Sequence, residues 1–410
     1  MDLQDRRSFL RLSGTMAATA AVASACSDLA PELGRRDAPK PEKVRIGLLL
    51  FQKGVFKILG DDQRAGWNLY LHLSGGLLGG REVEVVESEE ALDPETSIRN
   101  VKKLIEQEAV HALVGVTFSS NLIPIMPVCQ QAKVPLISPY ASTLQAQGKE
   151  YIWRTCALSG YDGYAIAEYV SQKHQGEGVY LLASDYAAGW DEIVGFKKRF
   201  TGKIAGEEYV PFPDTQDYGP FLRRIKESGA AAVFSFLPAD LAVTFIKQFD
   251  KAGLHGRVAL YGAEGMTELP FLEQEKDSAT NLMDAFYYSE GLDNAANRKF
   301  VSEYAVAAGA RPYVLPMVAY DAAAVLDKAI AGVRGDPTPD GVERRIREVG
   351  LIESPRGRWQ FGKNRAPLQH YYLRQVQRDG DVLANVVLQE LGVVGDLPLA
   401  PAKAPHSQDS

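Results

Sequence analysis

The sequence predicts an α/β protein made of two successive strand–helix series, each long enough for its own central parallel sheet with helices on both faces. Three observations carry this reading. Short apolar runs of strand length alternate with segments of helical periodicity from residue 44 onward. The alternation restarts past Arg154. Two of the runs end in bursts of hydroxyl residues, as buried strands do where loops leave the sheet. With 410 residues and about 150 per domain as a soft guide, two domains are expected.

The fold starts after a leader. Asp5-Arg6-Arg7-Ser8-Phe9-Leu10-Arg11 is a twin-arginine signature, the address of the Tat export route. An uncharged, Ala-rich stretch over 12–25 follows, too short to span a bilayer, which takes about 20 residues. Small residues then precede Cys26, as in a bacterial lipobox, so 1–25 reads as a lipoprotein signal peptide and Cys26 as its lipidation site. Residues 26–43 are rich in Pro and charge and read as a flexible tether. An exported, lipid-anchored protein of the bacterial cell envelope is expected.

In the first series, 44–51 is a strand. Gly60-Asp61 opens a helix over 62–73 with Ala65, Leu69 and Leu73 on one face. Residues 81–86 alternate as a strand with one wet face. Asp93-Pro94 starts the next helix, because Asp caps free N–H groups and Pro loses nothing in the first turn. Strands at 112–116 and 134–137 flank a helix over 122–132, whose Pro124 and Pro127 are tolerable only near its start. The second series reads helix 161–174, strand 179–183, helix 189–200, strand 208–210, helix 218–227, strand 231–236, helix 240–252, and strands 258–261 and 285–288. Helices over 297–308, 315–333 and 340–349 come next. Strands at 357–361, 370–378 and 382–388 follow, the last two joined at the hairpin signal Asp379-Gly380. The Pro- and Ala-rich end, 393–410, reads as disordered.

Composition excludes several functions. Hydrophobic content of 46% and charged content of 24% are ordinary for a globular protein. A net charge of −7 and the lack of a long basic run give nucleic-acid binding no support. Three Cys are too few for a disulfide framework, and Cys129 and Cys156 read as single buried thiols. The six His show no metal-ligand spacing. There is no G-x-S-x-G elbow, and Gly75–Gly80 lacks the Lys-Ser/Thr of a phosphate loop and reads as a turn. No enzyme, metal or cofactor is expected.

The stretch from His111 to Thr143 offers a pocket instead. Ser119-Ser120 follow its first strand, and Ser138, Ser142 and Thr143 follow its second. Short hydroxyls and strand-end N–H groups can hold an anion without a full positive charge.

The residues along the chain also resemble a family. Gly60-Asp61 with Ala65-Gly66, Gly79-Gly80-Arg81-Glu82-Val83, Asp93-Pro94, Gly115 with Ser119-Ser120, Ile137-Ser138-Pro139-Tyr140-Ala141-Ser142, Asp185-Tyr186-Ala187-Ala188-Gly189, Gly253-Leu254 and Gly262-Ala263-Glu264-Gly265 occur in order over about 44–392. In these the chain is similar to type I periplasmic binding proteins of the leucine/isoleucine/valine-binding group, which serve ABC importers. The resemblance implies two Rossmann-like lobes joined by a three-segment hinge, with lobe one at 44–157 plus 289–348 and lobe two at 158–288 plus 349–392. It implies a monomer that binds an amino acid or related small carboxylate or amide in the cleft and passes it to permease subunits. Ser119, Ser120, Tyr140, Ala141 and Ser142 would hold the ligand carboxylate, and Glu264 its ammonium. Tyr186, Ala188 and Pro238 would face them and set selectivity, because the chain departs there from the group. The group's first-lobe Tyr falls at Leu59, and two Cys that pair in some members fall at Leu92 and Phe118. The same fold serves ligand-sensing regulators and lipoproteins that activate cell-wall synthases. The export signals oppose a cytoplasmic sensor, and the activators' extra N-terminal domain has no room here.

Overall fold

The computed structural model describes residues 43–404 except Glu264. The signal segment 1–25, the lipidation site Cys26, nearly all of the tether and the last six residues therefore lie outside the described residues.

The strands are β1 (Val44–Leu50), β2 (Leu77–Leu78), β3 (Arg81–Glu89), β4 (Ala112–Gly115), β5 (Leu136–Ser138), β6 (Ile152–Arg154), β7 (Gly178–Ser184), β8 (Lys203–Val210), β9 (Ala232–Phe236), β10 (Ala259–Gly262), β11 (Met283–Phe286), β12 (Gln360–Phe361), β13 (Pro367–Asp379) and β14 (Val382–Val394). The helices are α1 (Lys57–Leu73), α2 (Pro94–Glu106), α3 (Ser119–Ala132), α4 (Tyr161–Lys173), α5 (Ala187–Arg199), α6 (Gly219–Ser228), α7 (Asp240–Lys251), α8 (Leu269–Glu275), α9 (Ala295–Ala308), α10 (Val314–Ala331) and α11 (Pro339–Ile346).

They build two sheets. The first has six strands in the order β2-β3-β1-β4-β5-β6, parallel except for β2. The second has eight, running β8-β7-β9-β10-β11 in parallel and closed by the antiparallel β13, with which β12 and β14 pair. The chain passes between the sheets three times, after β6, after β11 and after α11.

The apolar run of β1 from Ile46 to Leu50 follows from burial on both faces. Val44, Ile46, Leu48 and Leu50 pack with Trp67 of α1 and with Ala322, Ala323, Val325 and Leu326 of α10. Leu49 turns to the other face, among Val101 and Leu104 of α2 and Leu122 and Ile125 of α3. Helix α10 lies so close to α1 that a Cβ on Gly66 would stand 1.9 Å from Pro316 O. Asp93 caps α2 as expected, accepting from Glu95 N at 3.2 Å and Thr96 N at 3.0 Å. The motif at 119–132 starts its helix three residues earlier than the sequence reading. Pro127 then lies inside the helix but exposed, where its unbonded carbonyl partner can meet water. Cys129 and Cys156 are both buried, and neither forms a disulfide among the described residues.

One expectation is corrected. The segment after β14, expected to be disordered, docks on the body as far as residue 404. Asp396 accepts from Lys363 N and Asn364 N, both at 2.9 Å. Leu397 N donates to Tyr161 Oη at 3.1 Å, Gln147 Nε2 to Leu399 O at 2.9 Å, and Ala402 N to Asp191 Oδ1 at 2.9 Å. Leu399 is buried beside Gly160. The segment forms no regular element, so it carries no periodicity to read, yet side chains from elsewhere satisfy its backbone. Among the described residues no helix is long and apolar enough to cross a membrane, and no cluster of His, Cys, Asp and Glu could hold a metal.

Candidate functional site

The carboxyl ends of strands from both sheets meet at one cleft. Its lining from the first sheet's side is Leu59 of α1, Thr117, Phe118 and Ser119 after β4, and Tyr140 and Ser142 after β5. From the second sheet's side come Tyr186 and Ala188 after β7, Phe236 of β9, Pro238 and Ala239, and Phe271 of α8. The walls nearly touch. The enclosed cavity is about 20 Å³, the room of roughly one water. With the mouth included the space is about 420 Å³.

The loop after β4 is tightly specified. Gly115 has φ +140°, and a Cβ there would stand 2.2 Å from Leu49 O, so only glycine fits. Val116 follows at φ +76°, a strained value for a β-branched residue. Opposite, Ala239 in the other wall has φ +52°. Surrounding structure must hold both. At Val116 one support is Glu90, fully buried just past β3. Its carboxylate accepts from Thr117 N at 2.8 Å, Phe118 N at 3.2 Å and Asn121 Nδ2 at 2.9 Å. Burial pushes this carboxyl up to about 7 against those hydrogen bonds, which favour the charged form. Gln63 Nε2 donates to Thr117 Oγ1 at 2.9 Å and fixes the same loop from α1.

The loop delivers the start of α3 to the cleft. Among the described residues the backbone N–H groups of Ser119 and Ser120 have no acceptor. Ser119 Oγ has one long contact, accepting from Ser142 N at 3.4 Å. Ser142 Oγ is 2.6 Å from Ser159 Oγ. A serine hydroxyl and a helix N-terminus can thus offer hydrogen-bond donors at this side of the cleft. The rest of the wall is apolar or aromatic, and none of the described lining residues carries a charge. Among the described residues, two buried carboxylates of the second sheet's side are engaged elsewhere. Glu268 accepts from Val314 N at 3.1 Å, across to the start of α10, and from Arg374 Nη2 at 3.1 Å. Arg374 also binds Asp284 through Nε at 2.9 Å and through Nη2 at 2.5 Å.

Of the residues singled out in the sequence, Ser119, Tyr140, Ser142, Tyr186, Ala188 and Pro238 lie together in this lining. Two do not. Ser120 is exposed, because one step along a helix turns the side chain by about 100° away from its neighbour. Ala141 is buried among the residues between β4, β5 and α3. Glu264 lies outside the described residues. Sequence reasoning passed over Thr117, Phe236, Ala239 and Phe271. Leu59 and Phe118 entered it only as positions where related chains carry other residues. A strand-end aromatic such as Phe236 carries no signal that separates a cleft wall from a core, and α8 was not expected at all.

Comparison with known proteins agrees with this fold. A family model described as periplasmic binding protein matches residues 43–381. The chain is 30% identical over 365 residues to a Leu/Ile/Val-binding protein homolog of Brucella suis, covering 86% of this chain and 93% of the relative. Among solved structures it is similar to an ABC transporter solute-binding protein of R. palustris in complex with 4-hydroxybenzoate, at a TM-score of 0.81 and 27% identity, covering 87% of this chain and 98% of that one. A second, from Rhodopseudomonas palustris BisB5 in complex with 3,4-dihydroxybenzoic acid, gives a TM-score of 0.81 and 28% identity, covering 86% and 98%.

Proposed function

The chain belongs to the periplasmic binding protein family, in its type I, Leu/Ile/Val-binding-like group, and from that premise we propose that it captures a small aromatic carboxylate for an ABC importer. Membership makes it a solute-binding protein rather than an enzyme and implies an extracytoplasmic location. The observation that carries the ligand reading is the character of the wall. Phe118, Tyr140, Tyr186, Phe236 and Phe271 surround a narrow space. Ser119, Ser142 and the start of α3 supply donors at one side. Aromatic rings and small apolar residues bury a flat ring, and neutral donors bind a carboxylate. An amino acid would also need a partner for its ammonium, a role that the family resemblance gives to Glu264. The solved relatives that bind hydroxybenzoates support the aromatic reading over the amino-acid one.

In this reading the three chain crossings act as the hinge, and closure of the two lobes traps the solute. The twin-arginine segment and Cys26 support Tat export and lipid anchoring at the membrane beside the permease. A thermal-melting screen of the mature protein tests the function. Benzoate, 4-hydroxybenzoate, leucine and a simple amide are compared. At 100 times Kd a ligand adds about 2.7 kcal/mol of stability, which raises the Tm visibly. We expect the aromatic acids to stabilise and leucine not to. In Glu264→Gln an aromatic acid should bind as before, whereas an amino acid would be lost. Stabilisation by none of the panel would overturn the reading.

A further inference from the structure

We propose that Phe212, which is not part of the cleft lining, is a positioning residue that joins the two walls over the bound solute and sets the rate at which the solute leaves. The inference rests on the solute-binding reading above. Phe212 stands in the loop between β8 and α6, half-buried. Its ring stacks on Tyr186, with centroids 4.5 Å apart and planes 21° from parallel. It also meets Phe118, at 5.7 Å and 57°. Both neighbours line the cleft, but from opposite walls: Phe118 follows β4 of the first sheet, and Tyr186 follows β7 of the second.

The contact continues on either side. Phe118 packs against Phe51 at 5.6 Å and Phe56 at 4.8 Å, both belonging to the first wall. Tyr186 lies 6.0 Å from Phe236 in the second. The rings form an unbroken chain from one wall to the other, with Phe212 as a link that crosses. Its contact with Phe118 exists only while the walls are together. A solute leaves only after they part, so this contact weights the closed arrangement and opposes departure, while entry through an open cleft does not use it. Phe212 also braces the Tyr186 ring, itself part of the cleft lining.

The test follows 4-hydroxybenzoate release from the mature protein by stopped-flow fluorescence with a competing excess of benzoate. Wild type is compared with Phe212→Ala, Phe212→Leu and Phe212→Tyr. The one aromatic contact that Phe212 makes across the walls is lost in the alanine variant, so release should quicken by about two- to tenfold with little change in the association rate. The leucine variant, which keeps bulk but no ring, should fall between, and it serves if the alanine variant fails to fold. Phe212→Tyr should restore slow release. Alanine and leucine variants that release at the wild-type rate would overturn the proposal. If the wild type binds neither acid, the ligand reading fails separately. Small-angle scattering of the solute-free proteins then decides on Phe212: a more extended alanine variant supports the link, and identical curves overturn it.

Discussion

Replacing Ser119 with alanine should weaken carboxylate binding by about ten- to a hundredfold, while Ser120→Ala should leave it unchanged. The two serines are neighbours in sequence, and the structure separates them. Ser119 is 2% exposed and faces the cleft. Ser120 is exposed on the outer side of the same helical turn. Ser119 Oγ only accepts, from Ser142 N at a long 3.4 Å, so its proton remains for a solute. A hydrogen bond to a charged group contributes about 1.5–3 kcal/mol. At about 1.4 kcal/mol per decade, its loss is roughly one to two orders of magnitude in Kd. Binding is not abolished, because the N–H groups at the start of α3 survive the substitution. Ser142 is a poorer probe, since its Oγ is shared with Ser159 and the variant would leave that buried hydroxyl behind. The assay is calorimetric titration of the mature protein with 4-hydroxybenzoate, with the Tm of each solute-free variant as a check on folding. A Ser119→Ala affinity within threefold of wild type, or an equal loss in Ser120→Ala, would refute the assignment of the anion side.

Two further outcomes concern the framework. Burial lifts Glu90 from 4.5 to about 7, so the folded state holds a proton there that the unfolded chain has released. Its stabilising contribution is therefore complete below pH 4.5 and is lost as pH rises through about 7, by about 3 kcal/mol at most. Urea midpoints at pH 5 and pH 8 should fall more steeply for wild type than for Glu90→Gln, and parallel slopes would count against the shift. Arg374→Met should cost about 3–5 kcal/mol in urea unfolding, because it strands Asp284 and Glu268 as buried charges. A loss under about 1 kcal/mol would show those carboxyls to be neutral without the guanidinium.

Much of the architecture was legible because burial on both faces forces a strand to be apolar, as in β4 and in β1 from Ile46 onward. The cap at Asp93 was legible for a local reason, since a short carboxylate can reach only the next N–H groups. What escaped was set by distant partners. β6 has three residues and exists because Leu136, Ile137 and Ser138 offer it a ladder. Helix α8 has seven residues and little periodicity to detect. The docked segment after β14 depends on Asp191, Gln147 and Tyr161, none of which is near it in sequence. In the site, a hydroxyl at the end of an apolar run is conspicuous, so Ser119 and Ser142 stood out. Phe271 and Phe236 did not, because an aromatic residue in a cleft has the same sequence signature as one in a core.

The close seat of α10 on α1 bears on how this protein can be taken apart. The first sheet's inner face, with Ile46, Leu48, Val114 and Ile137, is covered by residues encoded after position 321. Gly66 and Pro316 leave no space for a solvent layer between the two helices. A fragment cut after Arg154 would keep every strand of the first sheet and the cover from Trp67 of α1, yet lose the cover from α10, leaving an adhesive surface rather than a domain. Dissection into independently folding halves therefore calls for splicing, with 289–348 rejoined to the first series and the intervening strands removed as an insert.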